Sequence, residues 1–585
     1  MAVRFLRFLL AGLGALTLGV PLQHILAQDS ARMFTAPGTS VCEGSVISGI
    51  DVYAHPPSYN GRAGAAYEKM EGVVGIRHMV TRESVVRPYL RVKIGNACSE
   101  RDRSESERLL RAQPFLSSAS VRAIPDGPGR VRMQVDVVDE IGLTLAGSVS
   151  QGSIGSLAAG TQNVAGLGLG VTASAERGFA YRNGFGLRLI KYGAFSAPNY
   201  VAVAAERDPL GEAFLFEVAE PFLTDLQRRA FHVGASERSS YYGVMRPTGD
   251  DYSLYTRRVA YDAGWVRRIG QPVRGHTVGL IGAALLGEDV RVGNRAKIVS
   301  DTGLVDAPVD STLDGRYRAF AVARVAAIAG LRALRFVTVR RFDAVRAQQD
   351  IGVGIQLGLL AGPSIWASRN ASDFFVATDL YAGLGDDRSF FNLRFAGEAR
   401  GNHQTHSWDG LVSSARLAWY AAPSDGRTQV LSVDASSIQH LAFPLQLTFS
   451  DAEAGLRGYS GASLAGGQRV IGRLEERWLV RLFPQRADFA MGVFADAGKL
   501  WAGDVPYGRT SGVHGSLGVS LLGAYPAGGK RTFRVDLAAP LNPLSGDPRF
   551  EIRFSASDHT RLTSFEPRDV ARARTGSVPT TQLKW

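Results

Sequence analysis

From residue 141 onward the chain is built of segments of roughly ten residues in which apolar and polar side chains alternate strictly, a period that only a β-strand can use. Phe391, Leu393 and Phe395 alternate with Asn392, Arg394 and Ala396, and Glu398 and Arg400 continue the polar side. Phe185, Leu187 and Leu189 alternate with Gly186 and Arg188. Phe533, Val535 and Leu537 alternate with Arg534 and Asp536, and Phe550, Ile552 and Phe554 with Arg549, Glu551 and Arg553. Gly, Asp, Asn and Pro separate the segments. In a soluble sandwich the polar face meets water. In a transmembrane barrel the apolar face meets lipid and the polar face lines the lumen. Alternation alone does not separate the two. Three features favour the barrel. The segment length matches a tilted membrane-crossing strand. The polar face is rich in arginine and acid. Aromatics such as Trp419 and Tyr420 stand near segment ends. A closed barrel also removes the edges that so many strands would otherwise expose. No fixed repeat period points to a solenoid or propeller. The expected fold is mainly β: a transmembrane antiparallel β-barrel over 141–557, preceded by one small α+β domain.

The start of the chain has a different grammar. Arg4 and Arg7 precede an apolar run over 8–20, and Ala27 offers a small residue at a cleavage site. This is the pattern of a secretory signal over 1–27, with the mature chain beginning near Gln28. The run is too short to span a bilayer as a helix. The best later stretch, 319–334, is broken by Arg324 and Arg332. With 45% hydrophobic residues and mean hydropathy near zero, a helical membrane protein is excluded. The net charge of +12, carried mostly by arginine, suits an anionic partner. In an exported protein, nucleic acid is a poor reading, and arginine lining a polar lumen or facing lipid headgroups a better one. The two cysteines, Cys42 and Cys98, default to a disulfide in an oxidising exterior, although spacing alone does not establish its geometry.

Residues 28–140 read as one small domain. A strand at 46–54 is followed by helical patterns at 81–90 and 100–113. Two strands come next, 117–124 and 130–138, joined by the turn sequence Pro125-Asp-Gly-Pro-Gly129. Val131, Met133, Val135 and Val137 share one face of the last strand. A lone sheet of this kind has an edge that can accept a peptide strand by main-chain hydrogen bonds.

Near the C-terminus Leu456-Arg457-Gly458-Tyr459 places an arginine in a Gly-flanked loop, where a confined guanidinium needs carboxylate partners. Glu475 and Asp496 follow on strand-like segments. Leu474, Trp478, Val480 and Leu482 suit a lipid face, which turns Arg473, Glu475, Arg477 and Arg481 inward and leaves Glu476 on the apolar side. The same stretch carries a resemblance. Leu456-Arg457-Gly458-Tyr459, then Glu475-Glu-Arg477-Trp478, then Phe494-Ala-Asp496-Ala-Gly498-Lys-Leu-Trp501 resemble, in order and spacing, motifs of the bacterial surface antigen superfamily. Its members are the BamA-TamA-like outer-membrane assembly and translocation barrels. The block at 81–140 resembles their POTRA domain. The resemblance implies a barrel of about 16 strands in the bacterial outer membrane, with the POTRA-like domain in the periplasm. It implies an arginine loop folded back into the lumen onto Glu475 and Asp496, with Arg477, Trp478, Phe494, Gly498 and Trp501 as supporting residues. It also implies a lateral seam between the first strand (141–150) and the last (549–556). Its partners would be outer-membrane lipid, unfolded or secreted polypeptide clients, and periplasmic accessory proteins. Three departures stand out. Only one POTRA-like unit fits, 55–81 is long for a connection and reads as a loop insertion, and 558–585 is a polar tail, read as disordered or periplasmic, that ends on Trp585.

Other signals are bland. Gly168-Leu-Gly170 has no helix behind it and reads as strand glycines. His403 and His406 with Asp409 read as an exposed loop rather than a metal site. The sequence holds no His-Glu-x-x-His, Gly-x-Ser-x-Gly or P-loop motif, so neither an enzyme nor a cofactor is expected. Two alternatives to protein insertion or translocation remain: a passive pore conducting anions or lipid, and a structural surface antigen.

Overall fold

The computed structural model describes residues 41–57, 79–150, 153–179, 182–247, 250–270, 277–300, 302–368, 371–451, 454–461, 463–483, 486–557 and 566–574. The expected signal segment, most of the 55–81 insertion and the ends of the polar tail lie outside these residues.

The small domain contains β1 (Val46–His55), α1 (Glu83–Val86) running into a 3-10 turn (Arg87–Tyr89), α2 (Glu100–Arg111), β2 (Leu116–Pro125) and β3 (Arg130–Asp139). The sheet order is β1-β3-β2, with β1 parallel and β2 antiparallel to the central β3. Gly127 and Gly129 both take positive φ in the β2–β3 turn, as the turn sequence demands. The alternating face of β3 buries Val131, Met133, Val135 and Val137 in a core shared with Leu109 and Leu110 of α2 and Phe115. Acids in the first turn of α2 and Arg108 and Arg111 in its last complement the helix dipole. Cys42 and Cys98 are disulfide-bonded with their Cα atoms 5.1 Å apart. In the chain-entropy view a closure of this length stabilises the domain by about 4 kcal/mol.

The remainder is a closed antiparallel barrel. Among the described residues 22 strands belong to the closed sheet. Two of them, Lys297–Ser300 and Gly303–Asp306, form a hairpin projecting from the wall, because Val278–Val292 and Phe320–Arg340 pair directly. The wall therefore has 20 strands, four more than the resemblance implies. The recognisable motifs cover only the C-terminal strands, so nothing in them reports how many strands precede. Strand length varies widely. Phe320–Arg340 has 21 residues and Gln348–Ala367 has 20, well beyond the ~10 that cross a bilayer. Thr144–Ser150 and Glu551–Ser557 have 7 each. These are the two shortest described wall strands, and they are the pair that closes the ring.

The two faces of the wall are inverted relative to a soluble protein. Phe185, Trp265, Leu331, Leu474, Val519 and Ile552 are among many large apolar side chains left exposed on the outside. Arg324 and Arg332 in the same strand as Leu331 are 0% exposed. Arg324 forms a two-point contact with Asp373 at 2.9 and 2.6 Å, and Arg400 reaches Glu288 at 2.9 Å. An exposed apolar belt on a hydrogen-bonded ring, with ion pairs inside, is the physical signature of a wall solvated by lipid.

The small domain lies across one mouth of the barrel. Asn163 donates to Thr81 Oγ1 at 2.6 Å, and Arg108 donates to Leu223 O at 2.6 Å. Arg111 meets Asp350 at 3.0 and 2.8 Å, and Lys530 donates its Nζ to the Arg111 carbonyl. Asn163, Leu223 and Lys530 sit in turns, and Asp350 next to one, at widely separated points of the ring. A domain touching all of them spans the opening.

The polar tail corrects an expectation. Residues 566–574 are not a solvated or periplasmic extension. They enter the barrel as a short helix, α3 (Arg568–Ala573), with Val570 and Ala573 buried. Composition misled because a charged segment is equally at home in water and in a lumen lined with opposite charges.

Candidate functional site

Between the strands Arg427–Gln439 and Gln468–Val480 the chain folds back into the lumen. A two-residue ladder, Leu447–Thr448 against Ala465–Gly466, gathers the base of this loop. The tip is held by main-chain bonds, Leu456 N–H to Phe449 O at 2.8 Å and Gly455 N–H to Asp451 O at 2.9 Å. Leu456 and Tyr459 are fully buried with Phe449, Ile471 and Leu500. The Tyr459 hydroxyl lies 2.9 Å from both Gly515 O and Asn542 Oδ1. Apolar residues on either side of the arginine thus clamp the loop, and Arg457 is left pointing at the wall.

There Arg457 makes a fork-to-fork pair with Asp496, Nε to Oδ2 and Nη2 to Oδ1, both at 2.6 Å. Its Nη1 is 3.4 Å from Glu475 and 3.6 Å from Asp536. The guanidinium plane lies 3.4 Å over the Phe494 ring. Arg534 bridges the other two acids, at 2.9 and 2.7 Å to Glu475 and 2.7 and 2.9 Å to Asp536. Arg477 also reaches Glu475. Three arginines and three carboxylates therefore neutralise one another in a nearly dry cluster. A second group adjoins it: Arg416 and Arg473 share Asp434, and Arg473 donates to Gly455 O at 2.7 Å. Gly458, in the left-handed region at φ 89°, turns its N–H onto Glu551 Oε2 at 2.6 Å. Glu551 begins the last wall strand, so the loop ties directly to the closing pair.

Both acids expected for Arg457 lie at its guanidinium: Asp496 takes the two-point contact, and Glu475 stands 3.4 Å away. Parity fixes which face a residue takes but not its height on the wall. The register sets Arg473 opposite Asp496 and Glu475 opposite Phe494, leaving Asp496 beside the loop and Glu475 within reach of Arg534 and Arg477. Glu476 faces outward and pairs with Arg427. Trp478 is exposed on the lipid side. Gly498 faces inward, where an added Cβ would lie 2.5 Å from Ile471 Cδ1 and 3.1 Å from Phe449. Trp501 ends its strand, and its carbonyl accepts the Gly467 N–H at 3.0 Å. Arg534, Asp536 and Glu551 belong to the site but were legible only as polar-face residues, since alternation does not reveal neighbours two or three strands away. His403 and His406 lie in an exposed turn, and no cluster of metal-ligating residues occurs among the described residues.

No family model matches the sequence, and no curated protein matches it. Solved structures of similar layout do exist. BamA from Haemophilus ducreyi lacking POTRA domains 1–3 is 12% identical over 88% of this chain and 85% of that one, with a TM-score of 0.38. CdiB from Escherichia coli is 12% identical over 88% and 77%, with a TM-score of 0.43. CdiB from Acinetobacter baumannii is 10% identical over 88% and 73%, with a TM-score of 0.39. At that level the likeness says nothing about what this chain handles.

Chemically, the cluster offers no acid, base or nucleophile. Every carboxylate in it is engaged by a guanidinium. The cluster ties the loop to three wall strands and, through Gly458, to a fourth at the closure.

Proposed function

We propose that the protein is a bacterial outer-membrane barrel that inserts polypeptides into the membrane or passes them across it, opening at the seam between its first and last strands. The observation that carries this reading is the closure itself. The two shortest described wall strands, Thr144–Ser150 and Glu551–Ser557, meet there. Over their described residues these two strands can share fewer main-chain bonds than the long strands elsewhere in the wall, and the loop bond from Gly458 to Glu551 lies on that side. A client strand can pair with an opened seam strand by the same main-chain hydrogen bonds. The exposed apolar belt supports the membrane location, and the motif order supports the superfamily reading.

The small domain faces the periplasm in this account and delivers clients. Its capture edge is β1. On the opposite edge Glu107 already accepts the Val121 N–H at 3.1 Å, and Arg103 donates to Val121 O. Among the described residues, the stretch Val52–His55 of β1 pairs along its backbone with β3 alone.

Cysteines introduced at Leu145 and Ile552, or at neighbouring positions on the same two strands, test the seam. An oxidised pair is expected to leave a heat-modifiable barrel that no longer supports client insertion or export, with activity restored by reductant. Full activity of the cross-linked protein would contradict a lateral route.

A further inference from the structure

The tail helix α3 rests on a set of wall groups that read a peptide. Asp569 is held by Arg469 through two bonds, Nη1 to Oδ2 at 2.7 Å and Nη2 to Oδ1 at 3.1 Å. From the far side of the lumen Arg258 donates to the main-chain carbonyls of Arg572 and Arg574, the latter at 2.9 Å. The Arg258 guanidinium is itself supported 4.1 Å over Phe443. At the end of the segment Arg574 lies 3.7 Å from Glu398. Between the charged contacts Val570 and Ala573 pack into the same apolar cluster as Leu456 and Tyr459 of the arginine loop. The wall thus engages one carboxylate, two backbone carbonyls, two small apolar side chains and, five residues after the carboxylate, one arginine. None of the charged groups in this set belongs to the Arg457 cluster, although Arg469 also donates to Thr448 O at 2.6 Å and Arg258 to Glu288 at 3.3 Å.

We propose that the lumen contains a peptide-binding seat, built on Arg258, Arg469 and Glu398, that the chain's own residues 566–574 occupy as a plug. The ligand class is a short helical peptide bearing a carboxylate and, five residues later, an arginine, with small apolar residues between. The plug touches the loop that braces the seam, so its withdrawal is coupled to the loop. That a client takes the vacated seat rests on the polypeptide reading above. The occupancy of the seat by the tail does not.

The native cysteines are joined to each other, so Ala573→Cys gives a clean reporter in the full-length protein. With the tail seated, the thiol introduced at position 573 is expected to react slowly with a hydrophilic maleimide. Asp569→Arg or Arg469→Asp should speed labelling roughly tenfold or more, as expected for loss of a desolvated ion pair. The double exchange Arg469→Asp with Asp569→Arg should restore protection. Heat-modifiability of each variant shows that the barrel is closed. In the second arm, a fluorescent peptide of residues 566–574 should bind the Asp569→Arg protein and not the parent, whose seat is filled. Equal labelling of the introduced thiol in the Ala573→Cys parent and all variants, or equal peptide binding by parent and Asp569→Arg, overturns the plug. Failure of client export with these results intact would instead count against the polypeptide reading alone.

Discussion

Arg457→Ala should destabilise the barrel by about 3–5 kcal/mol, the usual consequence of removing one member of a buried ion pair. Asp496 then loses both of its 2.6 Å bonds while its side chain stays fully buried. Glu475 suffers less, because Arg534 and Arg477 still hold it. The measurement is the urea midpoint of the heat-modifiable form in detergent. Asp496→Asn should cost nearly as much as Arg457→Ala. The Arg457/Asp496 double-mutant cycle should show a coupling of about 2 kcal/mol or more, within the range seen for contacting pairs. Arg457→Lys keeps the charge but loses the planar fork and the stacking on Phe494, so it should recover only part of the loss. An Arg457→Ala protein within about 0.5 kcal/mol of the parent, the ordinary level for surface substitutions, would mean that the cluster does not stabilise the barrel.

Gly455→Ala is expected to be of comparable size for a different reason. An added Cβ would sit 2.1 Å from Phe449 O and 2.3 Å from Asp451 O. Both are main-chain atoms of the loop itself, so no side-chain rotation relieves the clash. The loop cannot close, and Leu456, Arg457 and Tyr459 lose their seats together. A cost of about 3 kcal/mol, at the upper end for overpacking, should appear in the same urea assay. Gly512→Ala, whose Cβ would meet nothing within 4 Å, is the control and should be neutral. Parent-like stability of Gly455→Ala would mean that the loop is not held in this conformation.

Much of the architecture was legible because alternation is a local signal. A few residues such as Leu474, Glu475 and Trp478 suffice to say which side of a strand meets lipid. The small domain was legible for a similar reason: the 125–129 turn and the apolar face of β3 are self-contained. What the sequence withheld is non-local. Strand number depends on how a ring closes, and short strands such as Ser153–Thr161 carry no motif. How the two acids divide, Asp496 to Arg457 and Glu475 mainly to Arg534 and Arg477, depends on register between strands. The joining of Arg534, Asp536 and Glu551 to the loop depends on neighbours brought together only by closure. The lumenal place of α3 depends on arginines about a hundred residues or more away in sequence, such as Arg469 and Arg258.

The loop cluster and the short seam are linked in one bond, Gly458 N–H to Glu551. If that linkage serves a lateral gate, stability and activity should separate in suitable variants. Loss of Glu551 would leave Arg457 seated while releasing the last strand.

The most direct test of a role in moving polypeptides is a quantitative comparison of outer-membrane protein and culture-medium composition in a strain depleted of this protein, with and without a plasmid copy. Selective loss of one or more outer-membrane or exported polypeptides, restored by the parent and not by Arg457→Ala, is the expected result. Unchanged composition of both fractions after full depletion would contradict a role in moving polypeptides.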